Sequence, residues 1–187
     1  MTDPARPRLT FFFPAFNEEE NLAETVRRAI DEIGPLVDGS IEVLIVDDGS
    51  TDRTPEMADA LAATDPRVRV HHQENRGYGG ALRAGFANAS GELICFSDGD
   101  LQFDLREMSR LLSRLDDSVR PSVNAVIGYR IERRDPGHRI FIAKSYNAIV
   151  SALFGLRVRD IDCAMKLFRR EVFDLSLIHI SEPTRPY

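Results

Sequence analysis

Short apolar runs alternate with segments of helical spacing along most of this sequence. The apolar runs that predict strands are Leu9 to Phe13, Ile41 to Val46, Val68 to His71, Glu92 to Phe96 and Val123 to Ile127. Strands that alternate with helices favour βαβ units. The pattern therefore predicts an α/β fold with a mainly parallel sheet and helices on both of its faces.

Helical segments occupy the intervals between these runs. In the first of them, apolar residues from Leu22 to Ile33 recur at spacings of four, four and three, and Gly34-Pro35 is expected to end the helix. The other predicted helices are Thr54 to Ala63, Gly79 to Ala89, a segment with an apolar face from Leu105 to Leu115, and one with an apolar face from Ile142 to Leu153. The helix at Gly79 is rich in small residues, so we expect it to pack close to the sheet.

Polar residues follow four of the predicted strands. They are Pro14 to Glu18, Asp47-Asp48-Gly49-Ser50, Asn75 to Gly80, and Asp98-Gly99-Asp100. In open α/β sheets ligands bind at the carboxyl ends of the strands, where these segments would meet. Two carboxylates one residue apart suit Mg²⁺ or Mn²⁺ that carries substrate phosphates. An isolated Asp-Gly-Asp is equally compatible with a polar turn, but four polar strand ends favour a binding site.

Two further local patterns are less specific. Glycines at 77, 79 and 80 are compatible with a phosphate-binding loop, or with a turn followed by close helix packing. Neither of the two standard nucleotide fingerprints, GxGxxG after the first strand and GxxxxGK[ST], is present. Because His71 and His72 are adjacent at the end of a predicted strand, their side chains should point to opposite faces, which favours an ordinary strand-edge role over metal binding.

Charge is distributed unevenly along the 187 residues. The segment up to Asp117 has 12 basic and 23 acidic residues, a net of −11, whereas the remainder has 12 and 7, a net of +5. This asymmetry suggests an anionic partner at one end and a cation at the other. A sequence pI of about 5.3 argues against nucleic acid as a main partner.

Several classes of protein are disfavoured by composition. With 43% hydrophobic residues, the chain is expected to form one domain with a real core. Cys95 and Cys163 form no CxxC pair, so neither a disulfide framework nor a zinc site is indicated, and a reducing cytosol is the simplest setting. Met1 to Arg8 is rich in Pro and Arg and has no apolar stretch, so we expect no signal peptide. No run approaches the roughly 18 apolar residues of a membrane span, so any contact with a membrane is expected at its surface.

Six short motifs follow one another along the chain. They are Pro14-x-x-Asn17-Glu18, Val46-Asp47-Asp48-Gly49-Ser50-Thr51-Asp52, Asn75-Arg76-Gly77-x-Gly79-x-Ala81, Asp98-x-Asp100-x-Gln102, Gly128-Tyr129-Arg130 and Asp160-x-x-Cys163-x-x-Lys166. In this order they resemble the motifs of family 2 glycosyltransferases of the GT-A fold, and in particular of polyprenyl-phosphate sugar transferases similar to dolichol-phosphate mannose synthase. The resemblance covers about residues 8 to 173.

The resemblance implies inverting transfer of a sugar from a nucleotide-diphosphate donor to a polyprenyl phosphate, dolichyl or undecaprenyl, at the cytosolic face of a membrane. It implies that Pro14, Phe16 and Glu18 line the nucleotide pocket. Asp48, alone or with Asp47, would contact the base or the ribose.

The remaining site residues implied by the resemblance serve the metal and the acceptor. Asp98, Asp100 and Gln102 would hold Mg²⁺ or Mn²⁺ on the donor diphosphate. Arg130 and Arg139 match positions that receive the acceptor phosphate, although a solvated basic face is the alternative.

Asp160 matches a position assigned to a base or to acceptor alignment, and it could equally pair with Arg157 or Arg159. A phosphate acceptor, with a second pKa of about 6, is already ionised near neutral pH and needs no strong base. Two departures from the family pattern, Ala143 in place of Ser and Ala164-Met165 in place of Gly-Phe, concern the acceptor side.

Two other functions remain open on the sequence alone. Nucleotidyl transfer shares the layout and the metal, but the Gly-rich basic loop expected after the first strand is missing. A nucleotide-sugar binding fragment without turnover is the second alternative. We expect residues 8–175 to form a glycosyltransferase domain that is incomplete at its C-terminus, and residues 176–187, which follow no period, to be a non-native tail from an interrupted reading frame.

Overall fold

A six-stranded sheet is the centre of the part of the chain that the structure describes. The structure is a computed structural model and describes residues 6–98, 104–115, 123–129, 150, 163 and 165–173. The strands are β1 (Leu9–Ala15), β2 (Ile41–Asp47), β3 (Val68–His72), β4 (Leu93–Phe96), β5 (Ala125–Ile127) and β6 (Lys166–Arg169). The helices are α1 (Leu22–Arg28), α2 (Thr54–Thr64), α3 (Gly77–Asn88) and α4 (Met108–Leu115), and a 3-10 turn at Leu105–Glu107 precedes α4.

The strands lie in the order β3-β2-β1-β4-β6-β5. β1 pairs in parallel with β2 and β4, and β2 pairs in parallel with β3. β6 is antiparallel to both of its neighbours, β4 and β5. The predicted mainly parallel sheet is therefore confirmed. A strand at Lys166–Arg169 was not predicted from the apolar pattern.

Alternate side chains of β1 enter two separate cores, as the period of a strand requires. Phe11 and Phe13 are buried in a core that also receives buried residues of α1, α2 and α4. Phe12 is buried in the core on the opposite face, with Ala81 of α3. Helices thus cover both faces of the sheet, as predicted.

Close packing of α3 on the sheet depends on Gly85. A Cβ atom at this position would lie 2.1 Å from Cε2 of Phe12, far inside van der Waals contact. Next to it, the Phe86 ring packs edge-on against Phe12 and stacks on Phe173, with ring centroids 4.9 and 4.2 Å apart. The expectation that this small-residue helix lies close to the sheet is confirmed.

The first helical segment changes type before the predicted end at Gly34-Pro35 and continues beyond it as a 3-10 turn. After α1 the chain continues through a π-helical turn, Ala29–Ile33, and a 3-10 turn, Gly34–Val37. Pro35 is tolerated because it occupies the first turn of the 3-10 segment, where its missing N–H is not needed. The reversal falls instead at Asp38 and Gly39, whose φ angles are 54° and 77°.

Near the amino end of β2, the buried Glu42 carboxylate links three segments of the chain. It accepts hydrogen bonds from the Thr10 hydroxyl, from Arg69 Nη1 at 2.6 Å, and from Ser90 through the backbone N–H at 2.9 Å and Oγ at 2.7 Å. Burial alone would raise the pKa of Glu42, but these hydrogen bonds outweigh it and lower the pKa below its usual value.

The other predicted elements that fall on described residues are confirmed, with ends displaced by two residues at most when the 3-10 turn Leu105–Glu107 is counted with α4. The predicted helix with its apolar face from Ile142 to Leu153 lies outside the described residues except for Val150, and the proposed tail 176–187 lies wholly outside them. In the described ranges, no helix is both long enough and apolar enough to cross a membrane.

Candidate donor-binding site

A cleft of about 360 Å³ opens beside the carboxyl ends of β1, β2 and β4, at the amino end of α3. Its lining includes Pro14, Phe16, Glu18, Asp48, Tyr78 and Asp98. The structure therefore brings together the polar segments that follow four different strands, as the sequence predicts for a parallel sheet.

The loops after β1 and β2 are bound to each other around Asn17. The Asn17 backbone N–H donates to Ser50 Oγ at 3.0 Å, and its side-chain oxygen accepts from the Thr51 N–H at 2.8 Å. The next N–H, of Glu18, donates to Thr54 Oγ1 at 2.9 Å. Asn17 has a φ of 57°, a conformation that asparagine tolerates better than most residues. These bonds fix the side of the cleft that carries Phe16 and Glu18.

Asp48 lies where the ends of β1, β2 and β3 converge. It is 4% exposed, and its backbone N–H donates to the Ala15 carbonyl at 2.9 Å. Its Oδ1 accepts from Gln73 Nε2 at 2.6 Å and from the Arg76 N–H at 2.8 Å. These bonds hold the carboxylate in place at the cleft.

Gly49 allows the loops after β2 and β3 to approach each other. Its φ is 73°, and a Cβ atom built on it would lie 2.7 Å from the backbone nitrogen of Asn75. A side chain at Gly49 would therefore be strained by its backbone and would push against the loop that holds Asp48.

Asp47 does not share the position of Asp48. Its carboxylate is buried. Oδ1 accepts a hydrogen bond from the Ser50 N–H at 3.0 Å, and Oδ2 lies 2.8 Å from Nδ1 of His72. The other ring nitrogen of His72, Nε2, is 3.2 Å from Asp59 Oδ1 on α2. Of the two adjacent aspartates, only Asp48 lines the cleft.

His72 occupies the strand edge, as expected, but it is bound to carboxylates on both sides. The hydrogen bond to Asp47, and then the one to Asp59, raise the pKa of His72 above its usual value, against the opposing effect of burial. In the described part of the chain, no cluster of three or more His, Cys, Asp or Glu side chains could hold a metal ion.

Asp98 and Tyr78 are hydrogen-bonded to each other and line the same cleft as the residues that follow β1. The Tyr78 hydroxyl donates to Asp98 Oδ1 at 2.8 Å. Tyr78 is 54% exposed in the first turn of α3, which begins at Gly77 with a φ of 72°, and Phe16 is 47% exposed. The Asp98 carboxylate is an accessible hard oxygen ligand, so its chemistry fits Mg²⁺ or Mn²⁺.

The remaining predicted site residues, Asp100, Gln102, Arg130, Arg139 and Asp160, lie outside the described residues, and their roles stay predictions. The sequence reading did not single out Gln73, which orients Asp48, or Tyr78, which bonds Asp98. Tyr78 could have been noticed as the one large side chain among the glycines at 77, 79 and 80. No comparable local signal marks Gln73.

Sheet order and cleft position define the class of fold, and comparison with known proteins identifies the family. Residues 10–176 match the sequence model described as "Glycosyl transferase family 2". Because this match covers most of the chain, the protein belongs to glycosyltransferase family 2.

Two curated relatives illustrate the range of the family. The chain is 34% identical over 168 residues to the glycosyltransferase AglD of Haloferax volcanii, a match that covers 86% of this chain and 26% of that protein. It is 31% identical over 186 residues to the undecaprenyl-phosphate 4-deoxy-4-formamido-L-arabinose transferase of Sodalis glossinidius, covering 97% of this chain and 55% of that protein. The chain thus spans about a quarter to about half of these relatives.

A solved structure supports the same conclusion for the fold. The mannosyltransferase PcManGT from Pyrobaculum calidifontis, solved in complex with GDP-Man and Mn²⁺, has a TM-score of 0.65 and 26% identity. The similarity covers 92% of this chain and 47% of that one. The predicted GT-A type of fold is therefore confirmed.

Proposed function

We propose that this chain forms the nucleotide-sugar site of an inverting glycosyltransferase that transfers a sugar to a polyprenyl phosphate. The observation that carries the proposal is the cleft in which Phe16, Asp48, Tyr78 and Asp98 meet at the carboxyl side of the sheet. Membership of glycosyltransferase family 2 supports sugar transfer, and the name of the relative from Sodalis glossinidius supports a lipid phosphate as acceptor.

Several side chains that line the described cleft are suited to binding a nucleotide. The exposed Phe16 ring offers a surface on which a base can stack, and stacking on an aromatic ring is worth about 1–3 kcal/mol per base in single-stranded nucleic-acid binding. Asp48, which lines the cleft, would accept hydrogen bonds from the base or the ribose, and Pro14 and Glu18 would complete this side of the pocket. In this proposal Asp47 acts indirectly, through the Ser50 N–H that it binds.

The diphosphate would lie between α3 and Asp98. The amino end of α3 faces the cleft, and the free N–H groups and dipole of a helix at this end favour anions. Asp98, Asp100 and Gln102 are the residues that would hold Mg²⁺ or Mn²⁺. When bound, the cation would neutralise charge on the departing nucleotide diphosphate. Tyr78 would orient the Asp98 carboxylate through its hydrogen bond to Oδ1.

The acceptor side of the proposal rests on sequence. Arg130 and Arg139 would bind the acceptor phosphate, and guanidinium groups suit this role because they can donate two parallel hydrogen bonds to it. Asp160 would align the acceptor, since an ionised phosphate needs no strong base. A polyprenyl phosphate resides in a membrane, so the reaction would take place at the membrane surface. The resemblance to dolichol-phosphate mannose synthase favours the cytosolic face.

Metal-dependent nucleotide binding is the direct test of the donor site. A panel of GDP- and UDP-sugars is screened by thermal shift with and without Mn²⁺, and the best ligand is then titrated calorimetrically. Asp98→Asn and Asp100→Ala should lose most of the metal-dependent affinity, because each removes an oxygen ligand from a cation that needs about six. Asp31→Asn, an exposed change far along the first helical segment, is the matched control. Unchanged metal-dependent affinity in both site variants would contradict the proposal.

Product analysis separates transfer from the two alternatives. Incubation of the full-length protein with labelled nucleotide sugar and polyprenyl phosphate in detergent should give labelled lipid and a free nucleoside diphosphate. Binding without sugar release would identify a binding domain, and release of pyrophosphate from a nucleoside triphosphate would identify a nucleotidyltransferase.

A further inference from the structure

His72 lies between two carboxylates that belong to different elements. Nδ1 faces Asp47 Oδ2 at the end of β2, at 2.8 Å, and Nε2 faces Asp59 Oδ1 on α2, at 3.2 Å. A neutral imidazole has one N–H donor, whereas an imidazolium has two. Both contacts can be hydrogen bonds only when His72 is protonated.

The two contacts differ in strength. The Asp47 side chain is 4% exposed and accepts at the shorter distance, whereas the Asp59 side chain is 71% exposed. Neutral His72 would keep its proton on Nδ1, toward the buried carboxylate, because an unpaired buried carboxylate is far more costly than an exposed one. Nε2 would then present a lone pair to Asp59, so the connection to α2 would be lost first.

This contact is part of the support for the cleft. The Asp47 carboxylate that binds His72 also binds the Ser50 N–H, and Ser50 Oγ accepts from the Asn17 N–H of the loop after β1. Asp48, the next residue, lines the cleft. A change at His72 can therefore reach the nucleotide site through one carboxylate and one loop.

We propose that His72 is a positioning residue whose imidazolium bridges Asp47 and Asp59, fixes the connection from β2 to α2, and thereby sets the nucleotide affinity of the cleft. The proposal rests on the proposed function insofar as the ligand is a nucleotide. Its consequence is a donor site that weakens as His72 loses its proton.

The direction of the pH effect follows from the groups around the ring. The charged groups that act on His72 are Asp47 from β2 and Asp59 from α2, and both raise its pKa. A raised pKa means that the bridge is complete below the usual histidine pKa of about 6.5 and is lost as the pH rises through the higher value of the folded protein. Nucleotide affinity should therefore fall on the alkaline side of neutrality.

The experiment combines imidazole NMR with calorimetric titration of a nucleoside diphosphate and Mn²⁺ from about pH 6 to about pH 9, a range that spans the histidine titration. Four proteins are compared: the unchanged chain, His72→Gln, Asp59→Asn and, as the matched control from the same strand, His71→Gln. If nucleotide binding raises the His72 pKa by about one unit, affinity should fall about tenfold over this range. His71→Gln should behave like the unchanged chain, and His72→Gln should have a flat profile.

Asp59→Asn distinguishes the bridge from simple attraction between an imidazolium and a phosphate. It should lower the His72 pKa and flatten the pH dependence of affinity, because neutral His72 then no longer opposes a carboxylate. A full pH dependence in Asp59→Asn, or an equal one in His72→Gln, would overturn the proposal. If the unchanged chain binds no nucleotide at any pH, the proposed function fails and the affinity claim fails with it. The His72 pKa, compared between the unchanged chain and Asp59→Asn, still reports whether the bridge exists.

Discussion

Replacing Gly49 with alanine tests whether contact between the loops after β2 and β3 maintains the donor cleft. Gly49 and Gly39 both have left-handed backbones, with φ angles of 73° and 77°. They differ in their surroundings, because a Cβ atom at Gly49 would lie 2.7 Å from the Asn75 nitrogen, whereas nothing lies within 4 Å at Gly39. Gly39→Ala therefore provides the cost of the backbone alone.

The expected magnitudes follow from these two contributions. A left-handed conformation costs alanine about 1–2 kcal/mol, partly offset by the lower entropy of the unfolded chain, so Gly39→Ala should lower the free energy of unfolding by about 1 kcal/mol. Gly49→Ala has the same cost and must also displace backbone, and overpacking of this kind costs about 1–3 kcal/mol more. Gly49→Ala should thus lose about 2–4 kcal/mol in total.

Urea unfolding at a fixed pH measures both variants, and calorimetry measures their affinity for nucleoside diphosphate with Mn²⁺. Gly49→Ala should weaken nucleotide binding, because the displaced Asn75 loop adjoins Asp48, and Gly39→Ala should not. Equal losses of stability within about 0.5 kcal/mol, the usual limit of additivity, together with equal affinities, would refute the reasoning.

Three further predictions address packing, pH and the acceptor. Gly85→Ala should lower the free energy of unfolding by about 1–3 kcal/mol, since the new Cβ would collide with an aromatic ring of β1. Gly79→Ala in the same helix has open space around the new Cβ and should raise the free energy of unfolding by up to about 1 kcal/mol. Urea unfolding checks both variants. Because the pKa of Glu42 is lowered on folding, the carboxylate contributes stability above its usual pKa, and this contribution is lost as the pH falls through the lower pKa of the folded protein. Glu42→Gln lacks this titration, so its stability, measured by acid unfolding, should depend less on pH. In the full-length protein, Arg130→Ala and Arg139→Ala should raise the KM for polyprenyl phosphate or lower kcat while nucleotide affinity is retained. A comparable loss of nucleotide binding would instead assign these arginines to the donor pocket.

Sequence periodicity predicted most of the sheet because its strands are long or strongly apolar. Phe11 to Phe13 and the run ending at Val46 are buried on both faces, and such strands read as continuous apolar stretches. β6 has no such signal. Its four residues are Lys166, Leu167, Phe168 and Arg169, and only Leu167 is fully buried, so its pairing with β4 and β5 is decided by tertiary contacts.

In the candidate site, too, some features follow from the sequence pattern and others depend on tertiary contacts. Asp48 and Asp98 could be predicted from their positions at strand ends, because strand direction fixes where those ends meet. The different orientations of Asp47 and Asp48 could not, because they depend on His72 and Gln73, which approach from β3 and the loop that follows it. Sequence spacing identifies which residues reach the edge of a sheet, whereas the neighbouring strand determines which way each side chain turns.

The placement of β6 has a consequence for how the protein is made. Its two partners, β4 and β5, precede it in the chain, so β4 lacks its outer neighbour until Lys166–Arg169 has been synthesised. At about 5–20 residues per second, the roughly 70 residues between β4 and β6 need about 4–14 seconds. During that interval a nascent β3-β2-β1-β4 sheet would present unpaired backbone N–H and C=O groups along β4, an edge that other strands can join. Protection of this edge by a chaperone during synthesis would therefore raise the yield of folded protein without changing its final stability.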